Sequence, residues 1–572
     1  MIRRLLILFT LAGLVALPFL LRPKQRPSEN ADDVVVVITS HNEAIRQEFG
    51  RGFARWYQSR TGRTVTVDWR VIGGTSEITR FLEAGYVAAF RRHWTDVLQR
   101  PWSAEVQRAL VDPSVAAAES GRAVRAAFVD SDVGCGLDVF WGGASYDFAR
   151  QANAGRLVAA RVTQEHPEWF TDAVLPQEHA GEPYRDLEGR WIGTVLSSYG
   201  ILYNRDSLRR LGIERPPEEW ADLADPRFAG EVALADPTKS SSIAKAFEYI
   251  VQQQMQRREI ELGGEGDRSQ YREANGAATP SSRSSVRAAE EDATGSSGPQ
   301  PRQPAAAIEQ EAVSEGWLAG LRLLQQIGAN ARYFTDSSQK PPIDVGQGDC
   351  AAGICIDFYG WAQMEATGQR GAGEPRLGFV SPRGGAVHAV DPIGLLRGAP
   401  HRDVAEAFIE FTLTMDGQKL WNLRPGTPGG PTHFALRRLP VRRDFYAHEE
   451  WKPLRSDPDA NPYATEEQLI YRRERTAPLI RELAFIARVM MQDAHPELVR
   501  AWRAIQHAPE LRRSRALAQL QELSPVSYER AQGEIRRALR SSNRIEELRV
   551  ARELGEFFRH SYTEAERIAR GE

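Results

Sequence analysis

VVVVITS, Val34–Ser40, is too uniformly β-branched and apolar for a strand with one wet face, so it reads as a buried strand of a parallel sheet. The next stretch, HNEAIRQEFGRGFARWYQSRTG (41–62), carries apolar residues at helical spacing and a Gly near its stop. RTVTVDWRV (63–71) is a second strand, and GGTSEITRFLEAG (73–85) begins a second helix. Strand, helix, strand, helix predicts an α/β fold whose sheet is built through crossovers.

The same grammar continues. GLDVFWGG (136–143) and WIGTVLSSYGILYN (191–204) read as strands, and CAAGICIDFYGWAQMEATG (350–368) as a strand followed by a helix. GAVHAVDPIGLLRGAP (385–400) is strand-like, and HRDVAEAFIEFTLTMDGQKLWN (401–422) is amphipathic. Residues 263–307 are rich in Gly, Ser, Pro, Ala and charge with almost nothing to bury, which predicts a disordered surface insertion. After about Pro440 the chain turns to Arg/Glu-rich helical patterns, a C-terminal extension that either packs on the α/β body or serves as a partner-binding arm.

Lys and Arg number 73 against 76 Asp and Glu, a net charge of −3, which argues against a polyanionic partner such as nucleic acid. MIRR followed by an apolar run to Leu21 has the form of a secretory signal or a signal anchor. No small-x-small site closes the run, so an uncleaved membrane anchor over 1–22 is expected, a cleaved signal being the alternative. The three cysteines are too few for a disulfide framework. Cys350 and Cys355 are spaced to close a small loop, Cys135 is an alternative partner for either, and three buried thiols are the remaining reading. None of H-E-x-x-H, G-x-S-x-G or G-x-x-x-x-G-K-[ST] occurs, and no enzyme is expected.

Open α/β sheets bind ligands at the carboxyl ends of their strands. The polar junctions there are TSHNEA (Ser40, His41, Asn42), GGTSEI (Thr75, Ser76), FWGGASY (Trp141, Gly142, Gly143), SSYG (Ser198, Tyr199), DPTKSSS (Thr238, Lys239, Ser240, Ser241), DFYG (Asp357, Tyr359) and AVDP (Asp391). Ser, Thr and Lys at a helix start are donors for an anion, Asp accepts from hydroxyls or an amine, and the aromatics supply walls.

The order ITSHNEAIRQEF, GLDVFWGGASYDFARQANAGRL, SSYGILYNRDSLRRLGI, WADLADPRFAGEVALADPTKSSSIAKAF and AAGICIDFYGWAQM resembles the extracellular solute-binding proteins of ABC importers, in particular those similar to ferric-iron-binding proteins. The resemblance covers about Val34 to Arg443. It implies a periplasmic binding protein type II fold: two α/β lobes, two crossover hinge strands and a ligand trapped between the lobes. The expected division is 1–22 anchor or signal, 23–33 linker, 34–141 and 387–440 lobe 1, 142–386 lobe 2, and 441–572 helical extension, with crossings at DVFWGG and GAVHAVDP.

Ferric members hold their metal with a His, a Glu and two adjacent Tyr, assisted by an anion. Those positions fall here on His41, Gly143, Phe358 and Tyr359, so half of the ligand set is missing. The helix beginning at DPTKSSS corresponds to the segment that holds the anion. The implied function is therefore a receptor for a small anionic solute, delivered to an ABC permease without a cofactor. The alternatives are a ferric receptor using His41, Asp357 and Tyr359, and a sensor or assembly module whose helical tail binds a protein.

Overall fold

The computed structural model describes residues 31–111, 119–263, 305–368, 375–464, 468–541 and 543–572. The expected anchor 1–22 and nearly all of the expected insertion, 264–304, lie outside them. No helix among the described residues is long and apolar enough to cross a membrane.

Strand β1 (Asp33–Thr39) is the seed of the first sheet, with Val35, Val37 and Ile38 fully buried. Each such side chain contributes about 1.5–3 kcal/mol relative to an exposed one, which favours the sheet centre for this run. It pairs in parallel with β2 (Val65–Arg70) and β3 (Val139–Trp141). With β4 (Leu157–Val158) and β5 (Ile192–Ser197) they contribute to a seven-stranded sheet. The chain then passes through Ser198 alone into β6 (Tyr199–Asn204), which belongs to a different sheet. That second, five-stranded sheet also holds β7 (Val232–Ala235), β8 (Ala331–Thr335), β9 (Ala352–Ile356) and β10 (Leu377–Val380), in the order β8-β7-β9-β6-β10. Residues 381–388 return the chain to the first sheet, where β11 (Ala389–Leu396) and β12 (Leu439–Pro440) complete the order β12-β5-β11-β3-β1-β2. Each sheet has its own buried core, and the molecule has two lobes.

The first crossing is at Ser198, not at Gly142. Gly142 (φ 86°) and Gly143 (φ 135°) make a turn that residues with a Cβ rarely adopt. That turn sends the chain into a helix at Ser145–Asn153 and then into β4, which pairs with β11 of the same sheet. Lobe 1 therefore keeps residues through Ser197.

The cysteines are all free. Cys355 lies in β9 and Cys350 precedes that strand; both are buried and no bridge joins them. Burial pushes the Cys350 thiol up to about 12.

Four helices matter for the site: α1 (Glu43–Thr61), α2 (Thr75–Arg92), α3 (Ser241–Gly263) and α5 (Asp357–Thr367), with α4 (Ala305–Ala329) lying against α3. The C-terminal extension divides. Residues 441–464 pack on lobe 1, with Val441 in its core and Tyr463 against it. The helices at Ile480–Ala487, His495–His507, Glu510–Leu520 and Arg544–Arg570 share one apolar core with lobe 2. Trp317 of α4 donates to the Val526 carbonyl at 2.9 Å, and Trp502 donates to Asn330 at 3.0 Å.

Candidate functional site

A cleft of about 340 Å³ lies where the lobes face each other. From lobe 1 it is lined by Ser40–Asn42, Gly73–Thr75, Gly143, Asp391 and Arg438, and from lobe 2 by Lys239–Ser242, Asp336–Gln339, Phe358 and Tyr359. The lobes approach closely at its edge: a Cβ on Gly74 would sit 3.5 Å from the Lys239 carbonyl oxygen.

Helix N-termini converge on this space. Asn42 caps α1, its Oδ1 accepting from the Ile45 N–H at 3.1 Å. Helix α2 starts behind Gly74, and no side chain caps it. In the turn before α3, Asp236 accepts from the Thr238 N–H at 2.8 Å and its hydroxyl at 2.7 Å, folding Thr238 away. Ser240 accepts weakly from Ile243 at 3.4 Å. Ser241 and Ser242 open α3, and first-turn N–H groups have no carbonyl within the helix to pair with. Each such terminus carries about half a positive charge. Lys239 is exposed at the rim, and no ion pair claims it among the described residues.

Arg438 forms the inner end. It is buried, donates to Asp391 Oδ2 at 2.6 Å and to Ser197 Oγ at 3.0 Å, and its Nε has no partner. Its guanidinium lies over the Phe358 ring at 4.5 Å. Phe358, where the sequence resemblance implies a Tyr, is here the platform for a cation. His41 stands 4.0 Å from Asp391 through Nδ1 and edge-on to Trp141. Burial pushes its pKa down to about 3 against the pull of Asp391, so the ring is neutral at physiological pH. Burial also pushes the Tyr359 phenol up to about 12, leaving it a donor at neutral pH.

Ten of the residues singled out from sequence line the cleft: Ser40, His41, Asn42, Thr75, Gly143, Lys239, Ser240, Ser241, Tyr359 and Asp391. Seven do not. Trp141 is fully buried beneath His41, with its Nε1 donating to Thr194 at 3.1 Å, and Tyr199 packs against Tyr249 in the lobe 2 core. Gly142 gives close passage to His41, since a Cβ there would lie 2.7 Å from the ring. Ser76 is not among the residues lining the cleft, and Thr238 is held by Asp236.

Asp357 and Ser198 are joined to each other: the carboxylate accepts from the Ser198 N–H at 2.8 Å and from the Phe358 N–H at 2.7 Å, pinning the first crossing to α5. Burial pushes Asp357 up to about 7 against these bonds and Arg438. The ferric alternative thus loses its carboxylate to the hinge. Among the described residues no three His, Cys, Asp or Glu side chains are grouped to hold a metal ion.

Sequence reading passed over Asp336–Gln339 and Arg438. The first had a signal, because RYFTDSSQK is one more polar strand-to-helix junction. Arg438 had none: it is one of several arginines in LRRLPVRR, and its neighbour Arg437 pairs instead with Glu365 and Asp457.

Residues 148–298 match the family described as bacterial extracellular solute-binding protein. The chain is similar to bacterial extracellular solute-binding proteins. A Haemophilus influenzae protein is 22% identical over 306 residues, covering 49% of this chain and 69% of that one. The phosphoglycerate transport regulatory protein PgtC of Salmonella typhimurium is 21% identical over 341 residues, covering 59% and 63%. The chain thus spans about two thirds of the length of these curated relatives. Among solved structures, the periplasmic binding protein AfuA of Actinobacillus pleuropneumoniae, with fructose 6-phosphate bound, aligns at 15% identity, TM-score 0.44, over 82% of this chain and 98% of that one.

Proposed function

We propose that this chain is an extracytoplasmic receptor that closes on a small anionic solute, bearing a phosphate, phosphonate or carboxylate, and delivers it to an ABC permease. The observation that carries this reading is the meeting, in one interlobe cleft, of the N-termini of α2 and α3 with Lys239 and Arg438. The anionic group would sit on Thr75, Ser241 and Ser242 beside Lys239. Asp336, Asp391, Gln339 and the Tyr359 phenol would take the hydroxyls or amine of the remainder. Arg438, already balanced by Asp391, orients the inner end through its remaining N–H groups.

No bond is made or broken in this function. A ligand that touches Thr75 on one lobe and Ser241 on the other stabilises the shut form in proportion to its differential affinity, and that shape is what a permease would recognise. The name of PgtC makes phosphoglycerate a solute to try first.

Thermal unfolding of the full chain, with and without inorganic phosphate, 3-phosphoglycerate, fructose 6-phosphate and ferric citrate, tests the proposal. A phosphate ester at about 100 times its Kd should add about 2.7 kcal/mol of stability. Stabilisation by ferric ion alone, with a phenolate-to-iron absorption band, would overturn it.

A further inference from the structure

The chain crosses between the lobes a third time. Residues 441–464 pack on lobe 1, the helices from Ile480 onward share the lobe 2 core, and 468–476 run between them beside the second crossing. There Leu469 donates its N–H to the Ala386 carbonyl at 3.2 Å, and Tyr471 donates to the Ala180 carbonyl at 2.9 Å. Ala180 is at the tip of a hairpin, Glu178–His179 paired with Glu182–Pro183, which contacts β11 of the first sheet while Ala180 itself packs on the lobe 2 core. The fit is tight, since a Cβ on Gly181 would fall 1.9 Å from the Tyr471 carbonyl oxygen, at a φ of 81°. On the other side the strap is held by α3: Gln252 donates to the Arg472 carbonyl and accepts from the Arg472 N–H, both at 2.8 Å.

The three elements meet at a buried charge cluster. Lys245 of α3 pairs with Glu182 of the hairpin at 2.5 Å and with Glu248 at 2.9 Å. Tyr471 of the strap donates to Glu248 at 2.8 Å, and its ring lies 3.7 Å from the Lys245 ammonium. Lys245 stands one turn from Ser241 and Ser242, which line the cleft. Opening the lobes about Ser198 and residues 381–388 requires the hairpin to leave α3 or the strap to travel with it. Either separates buried, ion-paired charges.

We infer that residues 468–476 are an interlobe brace, which limits how far the lobes open in the absence of solute and which the two chain crossings of the hinge alone would not supply. This rests on the two-lobed fold and not on the identity of the solute.

The test is an interlobe distance in the full chain with no solute added, measured by pulsed electron–electron resonance between spin labels at the exposed positions Phe81 on α2 and Ile343 on lobe 2, in a Cys135→Ser background. The braced protein should give one narrow distribution. Gly181→Ala, which pushes the hairpin off the strap from the lobe 1 side, should lengthen its mean and broaden it. Tyr471→Phe, which keeps the packing and removes only the hydroxyl bond, should broaden it less, and it decides the matter if Gly181→Ala does not fold. Wild-type distributions in folded Gly181→Ala, or in Tyr471→Phe where that variant has to stand alone, would overturn the brace. Loss of phosphate-ester binding with these distances unchanged would count against the brace and leave the cleft reading standing.

Discussion

Arg438 in the cleft and Lys245 behind the hinge are built from the same parts: a buried cation, carboxylates and aromatic rings. They end in opposite states. Lys245 faces two carboxylates and two tyrosine rings and is buried. Arg438 has one carboxylate, one hydroxyl and the faces of Phe358 and Trp421, an unpartnered Nε, and a cleft in front of it. Buried polar groups in folded proteins are nearly always satisfied, so incomplete satisfaction beside a cavity marks the place where something else is expected to bind. A buried cation neutralised by two carboxylates, with no cleft in front of it, marks a joint.

The largest expected effect falls on the joint. Lys245→Met leaves Glu182 and Glu248 as neighbouring buried carboxylates, and urea unfolding should show a loss of about 3–5 kcal/mol. A loss under about 1 kcal/mol would mean the cluster is wetter than it looks, and the contrast with Arg438 would fail.

At the cleft the order reverses, with binding affected more than stability. Arg438→Lys keeps a charge and loses the planar fork, so calorimetric titration with whichever phosphate ester stabilises the wild type should weaken by about 2 kcal/mol, roughly thirtyfold in Kd. Unchanged affinity would make Arg438 a second structural cation.

Asp357 sharpens the boundary between the two regions, because it is a predicted ligand residue that the structure spends on the hinge. Its folded pKa, about 7, lies above the ordinary carboxylate value, so its native form holds a proton that the unfolded chain has released. Its contribution to stability is complete below about pH 4 and is lost as pH rises through 7. Unfolding free energies at pH 4.5 and 7.5 should differ more in the wild type than in Asp357→Asn, by at least about 1 kcal/mol. Equal differences would show that the carboxyl is hydrated.

Lys239→Ala should have the smallest effect. The side chain is exposed, so its loss should cost a few-fold in phosphate-ester affinity at low salt and almost nothing at high salt, where screening shortens its reach. Stability should stay within about 0.5 kcal/mol of wild type.

Much of the site was legible because it is made of junctions. Ser40–Asn42, Thr75 and Lys239–Ser241 each follow a strand and open a helix, and local chemistry alone puts such residues at the carboxyl rim of a sheet. What misled was also local. Two glycines after Trp141 looked like a crossing because a tight turn and a hinge call for the same residue. Trp141 and Tyr199 looked like walls because an aromatic has no sequence mark for which side of a strand it buries.

By itself the sequence determined the strands, the helix starts and the order in which they alternate, since these follow from periodicity, caps and turn residues acting within a few positions of one another. Only the tertiary structure decided that the chain changes sheets at Ser198, that Asp357 belongs to the hinge, and that Arg438 rather than any of its neighbouring arginines enters the cleft. It alone decided that residues 468–476 return to join the lobes. Those outcomes depend on which distant carboxylate, ring or carbonyl a residue meets after folding, and Coulomb and packing forces act through space without regard to the number of residues between.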